Sequence, residues 1–312
     1  MGIRGLAGYL KWKTPSARHN IQWRNHAGST WAIDCSCLLY KARSVGLQPI
    51  TVIANLLVRM RVARITPIVI FDGKPPGVKS ETIEQRKAVR EDALRKMTEL
   101  RTELQAEGLS EIERAEKELQ VSELQAKAPQ VSGRERDDIK KFLYSAGVLF
   151  LSASGEADDV LAFMARAGYI QAVISSDMDM LARGVPLLVI PETPDATVLT
   201  EIHLDAVLRE LRLSYRQFVD ACVLMGTDYS PADMKTIEPR YAVEMIRRGE
   251  GIRVERAVDI LQGVDVRWED LLSDTQQKKW IDGAPAVEPE NLNIFCTTNG
   301  WPDEWFNILV KG

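Results

Sequence analysis

The run Val173-Ile174-Ser175-Ser176-Asp177-Met178-Asp179 ends an apolar segment on two carboxylates two positions apart. Carboxylates this close repel one another unless a cation neutralises them, and as a pair they offer the oxygen donors that a hard ion such as Mg²⁺ requires. A helix cap at Ser176 or Asp177 would explain the pair without a metal. The same ending recurs, however. Ile33 runs into Asp34, Phe71 into Asp72, and Leu151 leads through residues 152–155 into Glu156 and Asp158, while Asp228 follows the apolar run that closes on Met225-Gly226. Acids at turns and caps are common one at a time; their recurrence at successive element ends points to one shared acidic pocket.

The elements that must position these acids are legible from pattern. Trp31-Ala32-Ile33, Pro67-Ile68-Val69-Ile70-Phe71, Val148-Leu149-Phe150-Leu151 and Val173-Ile174 are short apolar runs bounded by polar residues, with Leu187-Leu188-Val189-Ile190 as a fifth candidate. Continuous runs of this kind suit strands buried on both faces. Their alternation with helical stretches predicts an α/β fold: a twisted, mostly parallel central sheet with helices on both faces. In such a sheet, ligands bind past the carboxyl ends of the strands, where the acids would lie.

Between the second and third strands, residues 79–133 are charged throughout, with Leu94, Met97, Leu100 and Leu104 at helical spacing, a break near Gly108 and a stop at Pro129. This reads as a helical hairpin standing out from the sheet. Its first limb is the more basic, and Lys79 and Arg86, seven residues apart, share one helix face. A solvated, mixed-charge extension is the plainer account of such a segment.

Composition narrows the class. The chain has 312 residues, 45% of them apolar, enough for a sizeable core. No run is long enough to span a bilayer and there is no signal peptide, so an intracellular protein with no membrane association is expected. Cys35, Cys37, Cys222 and Cys296 lack disulfide or zinc spacing, as in a reducing compartment. The net charge of −4 becomes +3 once the seven acids are set aside, so it does not argue against a nucleic-acid partner. His19, His26 and His203 all lie away from the acidic motifs.

Taken in order, the motifs Met1-Gly2-Ile3-Arg4-Gly5-Leu6, Ile33-Asp34-Cys35-Ser36 with Tyr40, Phe71-Asp72-Gly73-Lys74-Pro75-Pro76 with Lys79 and Arg86, Glu156-Ala157-Asp158, Asp177-Met178-Asp179 and Gly226-Thr227-Asp228-Tyr229 resemble the flap-endonuclease branch of the structure-specific 5′ nucleases, over essentially the whole chain. The resemblance implies a metal-dependent hydrolase that cuts a DNA phosphodiester near a junction of single strand and duplex, in replication or repair. It implies a site for two Mg²⁺ ions, with Mn²⁺ able to substitute, whose ligands are Asp34, Asp72, Glu156, Asp158, Asp177, Asp179 and Asp228. It casts Lys79 and Arg86 as contacts to the scissile phosphate, Tyr40 as a stacking platform, and Gly2 as the residue whose amine lies near the site. The hairpin becomes an arch that a 5′ flap threads, with Arg90, Lys96 and Arg101 as lining cations.

The organisation that follows is a single nuclease domain over 1–312, comprising an N-terminal region (1–78), the arch (79–133), an internal region (134–228) and a C-terminal helical DNA-binding region (229–312). That last region contains a degenerate helix–two-turn–helix, because Thr236-Ile237-Glu238-Pro239 stands where the family carries Gly-Ile-Gly-Pro. Losing both glycines removes close backbone approach to phosphates, and with it a dependable potassium site. The segment between Tyr40 and Asp72 is short for the family, which puts double-flap preference in question. No clamp-binding box is evident at the C-terminus, so the expected partner is flap or junction DNA, bound by a monomer without a sliding clamp. The alternatives are a 5′→3′ exonuclease or junction nuclease of the same superfamily, and a non-catalytic DNA-junction binder.

Overall fold

The computed structural model describes residues 2–74, 80–105, 109–227, 235–250 and 267–311. After helix α1 (Leu6–Lys13) comes a short strand β1 (Arg18–Asn20), then β2 (Thr30–Asp34), α2 (Cys35–Ser44), α3 (Pro49–Val62) and β3 (Thr66–Phe71). The charged insertion folds as α4 (Ser80–Leu104) and α5 (Glu111–Lys127), packed along each other, and α6 (Gly133–Ser145) returns the chain to the sheet. There follow β4 (Leu149–Ser152), α7 (Ala157–Arg166), β5 (Ala172–Ile174), the short α8 (Asp179–Ala182), β6 (Leu187–Pro191), β7 (Leu199–His203), α9 (Leu204–Leu211), α10 (Tyr215–Met225) and α11 (Pro239–Arg247). The C-terminal helices include Asp274–Asp282, Pro289–Asn299 and Asp303–Lys311.

The seven strands lie in the order β1-β7-β6-β5-β2-β3-β4, with β2 to β6 parallel and β7 antiparallel to both of its neighbours, β6 and β1. The chain builds outward from β2 through β3 to β4, then crosses back to β5 on the other side of β2. Strand order therefore reverses at β2, and a parallel sheet opens a crevice at such a reversal. Asp34 ends β2, while Ser175 to Asp179 follow β5.

Side-chain alternation along the strands explains the two cores. Ala32, Ile68, Ile70, Val173 and Leu188 point into one, covered by α1, α7, α9, α10 and α11. Trp31, Ile33, Val69, Phe71 and Ile174 point into the other, covered by α2, α3, α6 and the last two helices. Full burial of each such side chain stabilises the fold by about 1.5–3 kcal/mol. Helices α5, α6 and α10 start with reciprocal capping boxes, Ser110 with Glu113, Ser132 with Glu135 and Ser214 with Gln217. Each cap is worth about 1 kcal/mol.

The α/β fold expected from the sequence is the one observed, with β6 where a fifth strand was expected. Strands β1 and β7 are additions to that expectation. β1 is three polar residues, Arg-His-Asn, and β7 carries Glu201, buried against His26 Nε2 at 2.7 Å. Neither strand advertises an apolar run as strong as those of the parallel strands.

Candidate active site

Six of the seven acids come together at the carboxyl ends of β2, β3 and β5 and at the start of α7; Asp228 lies outside the described residues. Asp34 is buried and caps α2, its Oδ1 accepting from Cys37 N at 3.1 Å, while its Oδ2 accepts from the Ser175 hydroxyl at 2.8 Å. The cap reading and the pocket reading therefore hold together for this residue. Asp72 accepts from the Ser36 hydroxyl and, at 2.9 Å, from Ala157 N at the start of α7. Gly73 allows this junction: a Cβ there would overlap the backbone of Ala153 and Ser154. Glu156 is the N-cap residue of α7, and Asp158 lies in its first turn.

After β5, Asp177 N donates to Ser175 Oγ at 3.1 Å and Asp179 N to Asp177 Oδ1 at 3.0 Å, so a tight turn holds both carboxylates. Asp179 is buried and accepts from Ile3 N at 2.6 Å. Gly2, at φ +87°, backs directly onto this turn, and a Cβ on it would collide with carboxylate oxygens of Asp177 and Asp179. The arm continues to the helical region, with Arg4 N donating to Gly226 O at 3.2 Å and Arg4 Nη1 to Thr236 Oγ1 at 3.2 Å. One end of the turn that departs from the family pattern is thus tied to the N-terminal arm, while residues 228–234 lie outside the described set.

The electrostatics register the crowding. Burial, with the charges of Asp72 and Asp177, lifts Asp34 to about 6 against the opposing Cys37 and Ser175 hydrogen bonds. Burial also pushes Asp158 well above the usual carboxylate range, with Asp34, Asp177 and Glu156 adding to the rise and Arg183 opposing it. Asp34 is thus oriented by neutral donors, whereas the buried guanidinium of Arg183 offsets part of the crowding at Asp158. Among the described residues, no three acids, histidines or cysteines converge as a ready-made coordination sphere. An all-oxygen donor set that is crowded but not closed fits a hard divalent ion that keeps several of its waters, and fits poorly a fully protein-caged or sulfur-bound metal.

The basic candidates are less concentrated. Lys79 lies outside the described residues, and Arg86 is a residue of α4. Arg90 is half-buried on the same helix and Arg101 is exposed, whereas Lys96 is ion-paired with Asp92 at 2.7 Å. Tyr40, on α2, is neither fully buried nor free, because Arg136 of α6 donates to its hydroxyl at 3.0 Å.

Four residues of the site escaped the sequence reading. Ser175 bridges the β2 and β5 ends, Ser36 holds Asp72, Arg136 holds Tyr40, and Arg183, buried, pairs with Asp159 beside Asp158. Only Ser175 carried a local signal, since a hydroxyl directly before an acid at a strand end is a natural turn former.

Two family models match the chain: the XPG N-terminal domain over residues 1–93 and the XPG I-region over residues 147–228. Flap endonuclease 1 of Bos taurus is 31% identical, over an alignment covering 100% of this chain and 81% of that protein. Among solved structures, flap endonuclease-1 from Methanococcus jannaschii superposes with a TM-score of 0.58 at 22% identity, covering 94% of this chain and 96% of that one. The catalytic core of Rad2 in complex with DNA substrate does so with a TM-score of 0.63 at 16% identity, covering 99% of each chain.

Proposed function

The chain belongs to the flap endonuclease family of structure-specific 5′ nucleases, and on that premise we propose that it hydrolyses a DNA phosphodiester beside a junction of single strand and duplex, in replication or repair. The observation that carries this reading is the convergence of six carboxylates from four separate segments at the point where strand order reverses, with Gly2 seated against two of them.

In this reading Asp34, Asp72, Glu156, Asp158, Asp177, Asp179 and Asp228 hold two divalent ions, Mg²⁺ with Mn²⁺ as a substitute. The chemistry such ions supply when bound is activation of water and stabilisation of the leaving oxygen of the phosphodiester. The protein's part is positioning. Ser175 and Ser36 orient the carboxylates of Asp34 and Asp72, and the arm at Gly2 and Ile3 holds the Asp177–Asp179 turn in place. Without cations the pocket repels a polyanion, so productive binding of DNA requires them. Lys79 and Arg86 contact the scissile phosphate from the base of the arch, and Tyr40 offers a ring to the base beside the cut. The α4–α5 hairpin selects a free 5′ end, and the C-terminal helical region grips duplex.

The test is cleavage of a panel of labelled flap, nicked, gapped and four-way DNA substrates with Mg²⁺. A 5′-labelled flap released intact supports endonucleolytic cutting. Mononucleotide products would move the assignment to a 5′→3′ exonuclease, four-way cutting to a junction nuclease, and binding without any product to a non-catalytic junction binder.

A further inference from the structure

Next to the carboxylate pocket the fold builds the opposite kind of crowding. Phe71 directly precedes Asp72, and its ring meets that of Phe150, on edge strand β4, edge-to-face at 6.0 Å. Lys140 of α6 places its ammonium 5.0 Å from the centre of the Phe71 ring, and Lys279 of the helix Asp274–Asp282 places its own 3.1 Å from the centre of the Phe150 ring. That helix is fixed to the sheet edge by Gln276, whose Oε1 accepts from Ser152 N at 2.9 Å. Three segments distant in sequence therefore bring two cations over one pair of rings.

Two nearby acids have other partners. Asp138 pairs with Lys141 at 3.3 Å, and Glu288 is bound by Asn291 Nδ2 at 2.8 Å. Among the described residues, neither Lys140 nor Lys279 has a carboxylate within ion-pair distance. Burial and then the charge of Lys140 push Lys279 down to about 8, so the pair is held at an electrostatic cost. An aromatic face holds an ammonium in place without neutralising it, which leaves the full charge to an incoming anion. Beside the pair lies a cavity of about 500 Å³, lined by Lys140, Lys141, Tyr144, Phe150, Ile294 and Phe295 among others. Glu288 also lines it, and Tyr144, Phe150, Ile294 and Phe295 form its apolar wall.

We propose that Lys140 and Lys279 form a phosphate-binding ledge that holds the backbone of the DNA substrate immediately outside the carboxylate pocket. The proposal rests on the nuclease reading above and adds a contact to it: the acids and their ions take the phosphate to be cut, and the ledge takes another phosphate of the same DNA. The contact is electrostatic and indifferent to sequence, so its signature is in the salt dependence of binding.

The experiment is a fluorescence-anisotropy titration of a labelled 5′-flap DNA at several NaCl concentrations, with Ca²⁺ in place of Mg²⁺. It compares the unaltered protein with Lys140→Gln, Lys279→Gln and, as a control for loss of one positive charge elsewhere, Arg209→Gln on α9, which follows β7 on the other side of the sheet from β4. Each ledge variant is expected to bind several-fold more weakly and to lower the slope of log K against log salt by about 0.9, with Arg209→Gln leaving the slope unchanged. Lys140→Arg and Lys279→Arg should restore the slope, which separates lost charge from lost folding. Slopes for both Gln variants equal to that of the unaltered protein, or a slope that Arg does not restore in a folded variant, would overturn the ledge. Cleavage by the unaltered protein in Mg²⁺ is scored separately, so a protein that binds through the ledge but cuts nothing refutes the nuclease reading alone.

Discussion

The carboxylate pocket and the lysine ledge meet at the end of β3, where Phe71 closes the strand in one and Asp72 follows it in the other, and both are concentrations of like charge. Serine hydroxyls and backbone N–H groups hold the acids, and aromatic faces hold the lysines. Arg183 opposes part of the crowding at Asp158, while among the described residues neither Lys140 nor Lys279 has a carboxylate within ion-pair distance, in contrast to surface pairs of the α4–α5 hairpin such as Lys96 with Asp92. A pair that cancels itself has nothing left for a ligand. Two clusters of opposite sign, side by side, suit a ligand that arrives with cations at one point and bare phosphates at the next.

The largest effect expected from breaking this arrangement is on the acid side. Asp177→Ala removes a proposed metal ligand and also one of the charges that raises Asp34 and Asp158. Loss of a residue that merely supports a metal ligand typically costs ~10–100-fold, so loss of a ligand should reduce cleavage by more than that. Flap-DNA binding should be kept or improved, since an anion has left the path of a polyanion. The same variant should melt at a higher temperature than the unaltered protein in EDTA, because the remaining acids are less crowded. Near-normal cleavage would remove Asp177 from the site, and a lower melting temperature in EDTA would mean that its hydrogen bonds outweigh its charge.

The next effect concerns pH. Asp34, lifted to about 6 in the fold, binds its proton more tightly there than in the unfolded chain. Between the two pKa values the native state carries more protons, so stability falls as pH rises through that window. In EDTA the melting temperature should therefore decline from about pH 4 to 6, by an amount of order a few kcal/mol in stability. Saturating Mg²⁺ should flatten the decline. If the metal-free protein instead gains stability across this range, the pocket is not paying for its crowding.

The ledge should show the mirror image on a smaller scale. Lys279, lowered to about 8, holds its proton less tightly in the fold than when unfolded, so the native state gains stability as pH rises through 8 toward the ordinary lysine range. Lys279→Gln should erase that gain and slightly raise the melting temperature at pH 7. An unchanged pH profile between 7.5 and 10 would show that Lys279 is not under strain from Lys140.

The two regions also differ in how far the sequence exposes them. The acids were readable because they end apolar runs or, as with Glu156 and Asp158, open the helix that follows one, and in a parallel sheet such ends share one edge, so a one-dimensional pattern carries a three-dimensional consequence. The ledge joins Phe71, Lys140, Phe150 and Lys279 through rings and helix faces. Nothing in the spacing of Lys140 or Lys279 distinguishes them from solvated lysines on a mixed-charge helix. Arg136 is hidden for the same reason, although Tyr40 was singled out. The helical hairpin was legible from its apolar spacing, whereas β1 and β7 were not: β1 is a short polar edge strand, and β7, paired on both sides, interrupts its apolar residues with Thr200 and Glu201.

Tyr40 and Arg136 give the smallest expected effect and tie the two regions together. Arg136 and Lys140 are one helical turn apart on α6, and both lie close enough to lower the Cys35 thiol electrostatically, against the dominant upward push of its burial. The α6 face that holds Tyr40 therefore leads onto the ledge. Tyr40→Phe keeps the ring and loses one hydrogen bond, worth about 0.5–1.5 kcal/mol, so cleavage should fall only a few-fold. Tyr40→Ala removes the ring as well and, at about 1–3 kcal/mol for stacking on a base, should fall further. If Arg136 only steers the Tyr40 ring, Arg136→Gln will match Tyr40→Phe, and combining the two will add nothing. A larger loss in Arg136→Gln, with a reduced salt slope, would mean that the guanidinium itself meets DNA and that the ledge extends along α6 to the edge of the acid pocket.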